Sequence, residues 1–108
     1  MTAYLIADVK VTNDAWIPDY AAEVHDIAAK HGGRYLSRSG NITPLEGTPP
    51  DTTLIAIIQF PSVEAAQSFA ADPAYARFAS ARQQGSVSRF FIIDDTDVAG
   101  TIPYLPRG

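Results

Sequence analysis

An α+β fold, a four-stranded antiparallel sheet with helices on one face, is predicted by three observations on this sequence. Strand-like and helix-like stretches follow one another in the order β-α-β-β-α-β. The helix-like stretches are bounded by strong local signals at Gly32-Gly33, Ser62, Asp72-Pro73 and Gly85. Three of the strands are apolar on both faces. That order of elements is the split βαβ, or ferredoxin-like, arrangement.

The first strand is AYLIADVKV, residues 3–11. Its alternation sets Leu5, Ala7 and Val9 on one face and Tyr4, Ile6 and Asp8 on the other. A helix follows, with Asn13 as the expected N-cap and Asp14 favourable in the first turn. Trp16, Tyr20, Val24, Ile27 and His31 recur at helical spacing and form its apolar stripe. Pro18 suits only a first turn, so the regular helix is expected from near Ile17. Gly32-Gly33 stops it. RYLSRS, residues 34–39, is the second strand; SGN marks a bend or bulge, and ITPLEG either continues the strand or leads out of it. GTPPDT is a loop, and TLIAIIQF, residues 53–60, is the third strand. Ser62 caps the next helix, whose stripe is Val63, Ala66, Phe69 and Ala70. Asp72-Pro73 restarts helix as cap and first helical proline, and Tyr75, Phe78, Ala79 and Arg82 follow at helical spacing as far as Gly85. VSRFFIID, residues 87–94, is the last strand. Residues 1–94 are therefore expected to form one domain and residues 95–108 a C-terminal extension.

Composition narrows the function. The chain has 108 residues, 46% of them hydrophobic, as in a single globular domain. It has no cysteine, which excludes disulfides, thiolate metal sites and cysteine nucleophiles. With two histidines, a histidine-rich metal site is not expected. A net charge of −4 provides no basic footprint for nucleic acid. No phosphate loop, dinucleotide fingerprint, nucleophile elbow or zinc spacing is present, so no cofactor or metal is expected. The N-terminal segment lacks a leader pattern, and the longest purely apolar run, Leu54 to Ile58, is too short to span a bilayer. A cytoplasmic protein with no membrane partner is expected.

Assembly follows from the two-faced strands. Helices cover one face of a four-stranded sheet, and the other is left as an apolar patch of the kind that marks an interface. The simplest cover is a second copy, sheet against sheet, in a two-fold homodimer. Ile102, Tyr104 and Leu105 in the extension are candidates for contact with that partner.

The pattern resembles the domain of unknown function 1330 family, within the dimeric α/β-barrel superfamily. The resemblance is carried by AYLIADVKV, the paired aromatics Trp16 and Tyr20, HGGRYLSRSG, LEG, IIQFPSVEAAQSF, DPAYARF with Arg82, and Ser88-Arg89. It implies the ferredoxin-like fold and a dimer. It implies no particular activity, because the wider superfamily includes cofactor-independent monooxygenases, dehydratases, isomerases and haem-handling proteins. Two positions depart from the family pattern: Ser39 stands where a second glycine is usual, and Gln59 where a glutamate is usual.

Eight residues are candidates for a site. His31 is either a general acid or base or a helix-terminal residue capping last-turn carbonyls. Asp8, a carboxylate within an apolar strand, needs a partner, with Arg38, Arg89 or His31 in view. It is either a base or orienter for His31, or a charge at a rim. Arg89 is an anion clamp or an ion-pair partner across the dimer. Arg38 and Glu46 flank the glycine bend as ligand contacts, with turn chemistry the alternative for Glu46. Tyr75 and Arg82 share a helix face and either line a pocket mouth or pack on the sheet with the guanidinium in solvent. Gln59 completes the substrate-binding candidates. The expected function is a homodimer that binds a small organic molecule, with an anion in view but not required, and acts on it without a cofactor, in oxygenase-, isomerase- or dehydratase-like chemistry. The alternative is a non-catalytic dimeric binding or stress-related accessory module.

Overall fold

Burial alternates along the first strand, β1 (Ala3–Val11), and this decides the layers. Ala3, Leu5, Ala7 and Val9 are buried, whereas Tyr4, Ile6 and Asp8 keep part of their surface. The computed structural model describes residues 1–103. Along that length β1 is followed by α1 (Ile17–Lys30), β2 (Arg34–Ser39), β3 (Leu54–Phe60), α2 (Val63–Ala70), α3 (Pro73–Gln84) and β4 (Ser86–Asp94). The strands form one antiparallel sheet in the order β2-β3-β1-β4. This is the α+β, ferredoxin-like arrangement the sequence predicts, with the helical restart at Asp72-Pro73 dividing its second helix into α2 and α3.

Leu5, Ala7 and Val9 of β1 meet Ala56, Ile58 and Phe60 of β3 and the inner faces of the helices, at Val24, Ile27, Phe69 and Phe78, in one core. Phe60, Phe69 and Tyr75 continue it as a run of rings, with centroids 5.5 Å and then 4.6 Å apart. Among the described residues no helix is long and apolar enough to cross a membrane.

The helix ends follow local chemistry. At the C-terminus of α1, Gly32 donates its N–H to Ala29 and Gly33 to Ala28, the paired bonds of a Schellman motif. Gly32 takes φ +78°, which glycine adopts without strain. Ser62 caps α2 by accepting from the Ala65 N–H at 3.0 Å, and Asp72 caps α3 by accepting from the Ala74 N–H at 2.8 Å. The start of α1 differs from expectation. Its N-cap is Trp16, and Asn13 instead accepts from the Ala15 N–H in the preceding turn. That turn is fixed from outside, because the N–H groups of Thr12 and Asn13 both donate to the Gly85 carbonyl.

ITPLEG leads out of β2 into an irregular connection. The bend expected at SGN falls at Gly40, where β2 ends, and a bulge also interrupts the strand earlier, between Tyr35 and Ser37. Tyr35 and Arg38 are an odd number of residues apart and would otherwise face opposite sides. The bulge brings both to the helix-facing side, opposite Ile58 and Ala56. Of the residues expected to reach a partner, Ile102 is half-buried, and Tyr104 and Leu105 lie outside the described residues.

Candidate functional site

A cleft of about 320 Å³ opens between the N-terminal half of α1 and the helix-facing side of the sheet. α1 contributes Trp16, Ile17, Tyr20 and Ala21, and its floor is Ala7, Val9, Leu54, Ala56 and Ile58. β2 adds Tyr35 and Arg38, β4 adds Phe90, and α3 adds Arg82. Small floor residues make the space: Ala7 and Ala56 sit opposite each other at the sheet centre. The lining is apolar and aromatic apart from two guanidinium groups, a composition typical of small-molecule sites.

The aromatic wall is braced from behind. Trp16 packs edge-on against Tyr20, centroids 5.2 Å apart, and its indole N–H donates to the Gly85 carbonyl at 3.2 Å. A Cβ at Gly85 would clash with the Cδ1–Nε1 edge of the Trp16 ring, so this glycine sets where the indole stands. The Tyr20 hydroxyl shares a 2.6 Å hydrogen bond with that of Tyr75, which stacks on Phe69 in the core. Burial pushes the Tyr20 pKa up, the adjacent Tyr75 adds to this, and Arg82 opposes it. Burial raises Tyr35 too, against the opposing effect of Arg38. Both therefore remain neutral phenols near neutral pH.

The two cations differ. Arg38 is exposed, its Cζ 4.8 Å from the centroid of the Tyr35 ring. Arg82 is only 6% exposed. Its Cζ lies 3.9 Å from the centroid of Phe90, and Nη1 donates to the Ser88 hydroxyl. Its Nε is buried with no acceptor. The expected alternative of a solvated guanidinium is thus not what the fold makes of Arg82.

The other candidates lie elsewhere. Asp8 and Arg89 pair across β1 and β4 at 2.6 Å, on the sheet face away from the helices. The Thr52 hydroxyl and then Arg89 hold the Asp8 carboxyl below its usual range. His31 closes α1, about 16 Å along the helix axis from Tyr20 at about 1.5 Å per residue. Its Nε2 lies 2.8 Å from Asp72 Oδ2, joining the end of α1 to the start of α3. Asp8 therefore does not orient His31; the carboxylate beside that imidazole is Asp72. Gln59 lies opposite Tyr4 and Arg34 on the open face of the sheet, and Glu46 is exposed in the connection before β3. Of the eight candidates, the structure brings Arg38 and Arg82 to the cleft, with Tyr75 one hydrogen bond behind it.

Tyr35, Leu54 and Phe90 were not identifiable as site residues by spacing, because three separate strands bring them together. Trp16 and Tyr20 carry a signal, two aromatics one helical turn apart at the start of an amphipathic helix.

Solved structures share this fold. A protein of unknown function from Rhodopseudomonas palustris aligns with a TM-score of 0.70 at 16% identity, over 89% of this chain and 83% of that one. SnoaB, a cofactor-independent oxygenase from Streptomyces nogalater, aligns at 0.61 and 16%, over 89% and 94%. A protein from Mycobacterium tuberculosis aligns at 0.53 and 12%, over 90% and 97%. None of the curated proteins matches the chain. The family model described as "Domain of unknown function (DUF1330)" matches residues 2–96, and the chain belongs to that family.

Proposed function

We propose that this protein is a homodimer that binds a small, ring-bearing organic molecule in the cleft between α1 and the sheet, and that it acts on that molecule without a cofactor. The observation that carries this is the cleft itself, about 320 Å³ of apolar space walled by Trp16, Tyr20, Tyr35 and Phe90. Aromatic faces favour a flat ligand, and the volume suits one or two fused rings. SnoaB is a cofactor-independent oxygenase on a similar fold. The likeness supports the idea that such a scaffold hosts chemistry, but a fold alone does not select a reaction.

Trp16 is the only tryptophan in the chain, so its fluorescence reports on the cleft. Titration with the neutral fluorophore N-phenyl-1-naphthylamine is expected to quench it. Ala21→Phe fills the space at the exposed edge of α1 and is expected to weaken that binding about tenfold, as steric filling of a formed pocket does. Quenching that is indifferent to Ala21→Phe would put the probe elsewhere and remove this reading.

One observation favours the second reading, a non-catalytic dimeric accessory module. The described lining of the cleft holds no imidazole and no carboxylate, and His31 is committed to Asp72. Mass spectrometry of a bound small molecule before and after incubation separates the two: conversion supports the enzyme, and an unchanged molecule supports the module.

A further inference from the structure

Arg82 is a buried charge that meets no opposite charge among the described residues. Exposed Arg77 has Glu23 at 3.1 Å, exposed Arg89 has Asp8 at 2.6 Å, and exposed Lys10 has Asp51 at 2.7 Å. Arg82, at 6% exposure, forms no ion pair among the described residues. This inverts the usual order, in which surface charges go unpaired and buried ones are matched. What Arg82 does have is neutral: the Ser88 hydroxyl on Nη1 and the face of Phe90. Its Nε is buried with no acceptor, and Nη2 has none among the described residues.

We infer that the cleft is built for a ring-bearing monoanion, an aromatic carboxylate or a compound of the same oxyanion chemistry, whose head group pairs with Arg82. The inference rests on the reading of the cleft as a small-molecule site and adds the ligand's charge and the residue that sets it. Arg82 lines the same cleft as the aromatic wall, so a flat ligand against Trp16 and Tyr35 brings its head group to the α3 side. An oxyanion there meets the fork that recognises carboxylates, in surroundings where water screens little. Ser88 and Phe90 hold the fork from two sides, so little side-chain freedom is lost on binding. A monoanion is favoured over a dianion because only one cation is deep. Arg38, the other, is exposed and leans on Tyr35.

The test is isothermal titration calorimetry of the full-length protein with 2-naphthoate and with 2-naphthalenemethanol, which share a ring system and differ in charge. Naphthoate is expected to bind about tenfold tighter or better, as a charge-assisted hydrogen bond in a desolvated site provides. Arg82→Met should abolish that preference and leave the affinity for the alcohol within about twofold, because stem and volume are nearly kept. Arg38→Met should remove less of the preference than Arg82→Met. Equal affinities in the wild type overturn the inference, and that comparison does not depend on any variant folding. A preference that survives Arg82→Met, or that vanishes only with Arg38→Met, overturns it as well. Failure of both compounds to bind removes the small-molecule reading itself, whereas equal binding of both leaves that reading standing and removes only the charge.

Discussion

Asp72 ties two helices together with one carboxylate. It accepts from the Ala74 N–H at the start of α3, where the helix dipole favours a negative charge. It also meets His31 at 2.8 Å and Lys30 at 3.4 Å at the end of α1, where cations are favoured. The His31 hydrogen bond first, then the Ala74 N–H, hold its carboxyl down to about 2. A carboxyl whose folded value lies below its unfolded value, about 3.9, stabilises the fold at any pH above that unfolded value. That contribution falls away as the pH drops from about 4 through 2. Asp72→Asn keeps a capping oxygen but loses the charge. Denaturant unfolding at a series of pH values is expected to show the variant less stable than wild type at pH 5, with the gap closing towards pH 2. A gap that stays constant across that range would mean the charge is not what joins the helices.

The elements were legible in the sequence wherever their ends are local chemistry. The Schellman stop at Gly32-Gly33, the Ser62 cap and the Asp72-Pro73 restart lie within a few residues of what they terminate. Asn13 failed as a cap because Gly85, far along the chain, holds that turn. The same boundary runs through the candidate site. Arg82 was legible as a helix-face residue, but its burial is decided by Ser88 and Phe90 on β4. His31 was legible as an apolar-stripe histidine, but its partner Asp72 belongs to another helix. One element packs closely against the next at Gly33, where a Cβ would stand 2.6 Å from the Phe60 ring and 2.8 Å from the Ala28 carbonyl. Phe60 is fully buried and cannot give way easily. Gly33→Ala is expected to destabilise the fold by about 1–3 kcal/mol, the usual penalty for overpacking. A denaturation midpoint unchanged from wild type would show that the α1–β2 junction relaxes freely.

The sheet as a whole has two unlike faces. The helix-facing side holds the core and the cleft. On the other side Ile6, Ile57 and Phe91 stand in one row across β3, β1 and β4, and Phe91 and Ile93 remain about half exposed. Beside that row lies the Asp8–Arg89 pair. An apolar centre with a polar margin is the anatomy of an interface, and a two-fold axis would set the same patch against itself. This is the surface on which the proposed homodimer rests. Light scattering is expected to give the wild-type chain twice its 11.6 kDa mass, and Phe91→Glu the mass of one chain with its secondary structure intact. A charge brought into a desolvated apolar contact is strongly unfavourable, so partial effects are not expected. Because adjacent residues of a strand face opposite ways, Phe90 lines the cleft while Phe91 points away from it. The separated chain should therefore keep its affinity for 2-naphthoate within about threefold, a change worth less than the loss of one hydrogen bond. A wild-type monomer would remove the homodimer. A dissociated variant that no longer binds would instead make the cleft depend on the partner through the sheet, and the two faces would then be one functional unit.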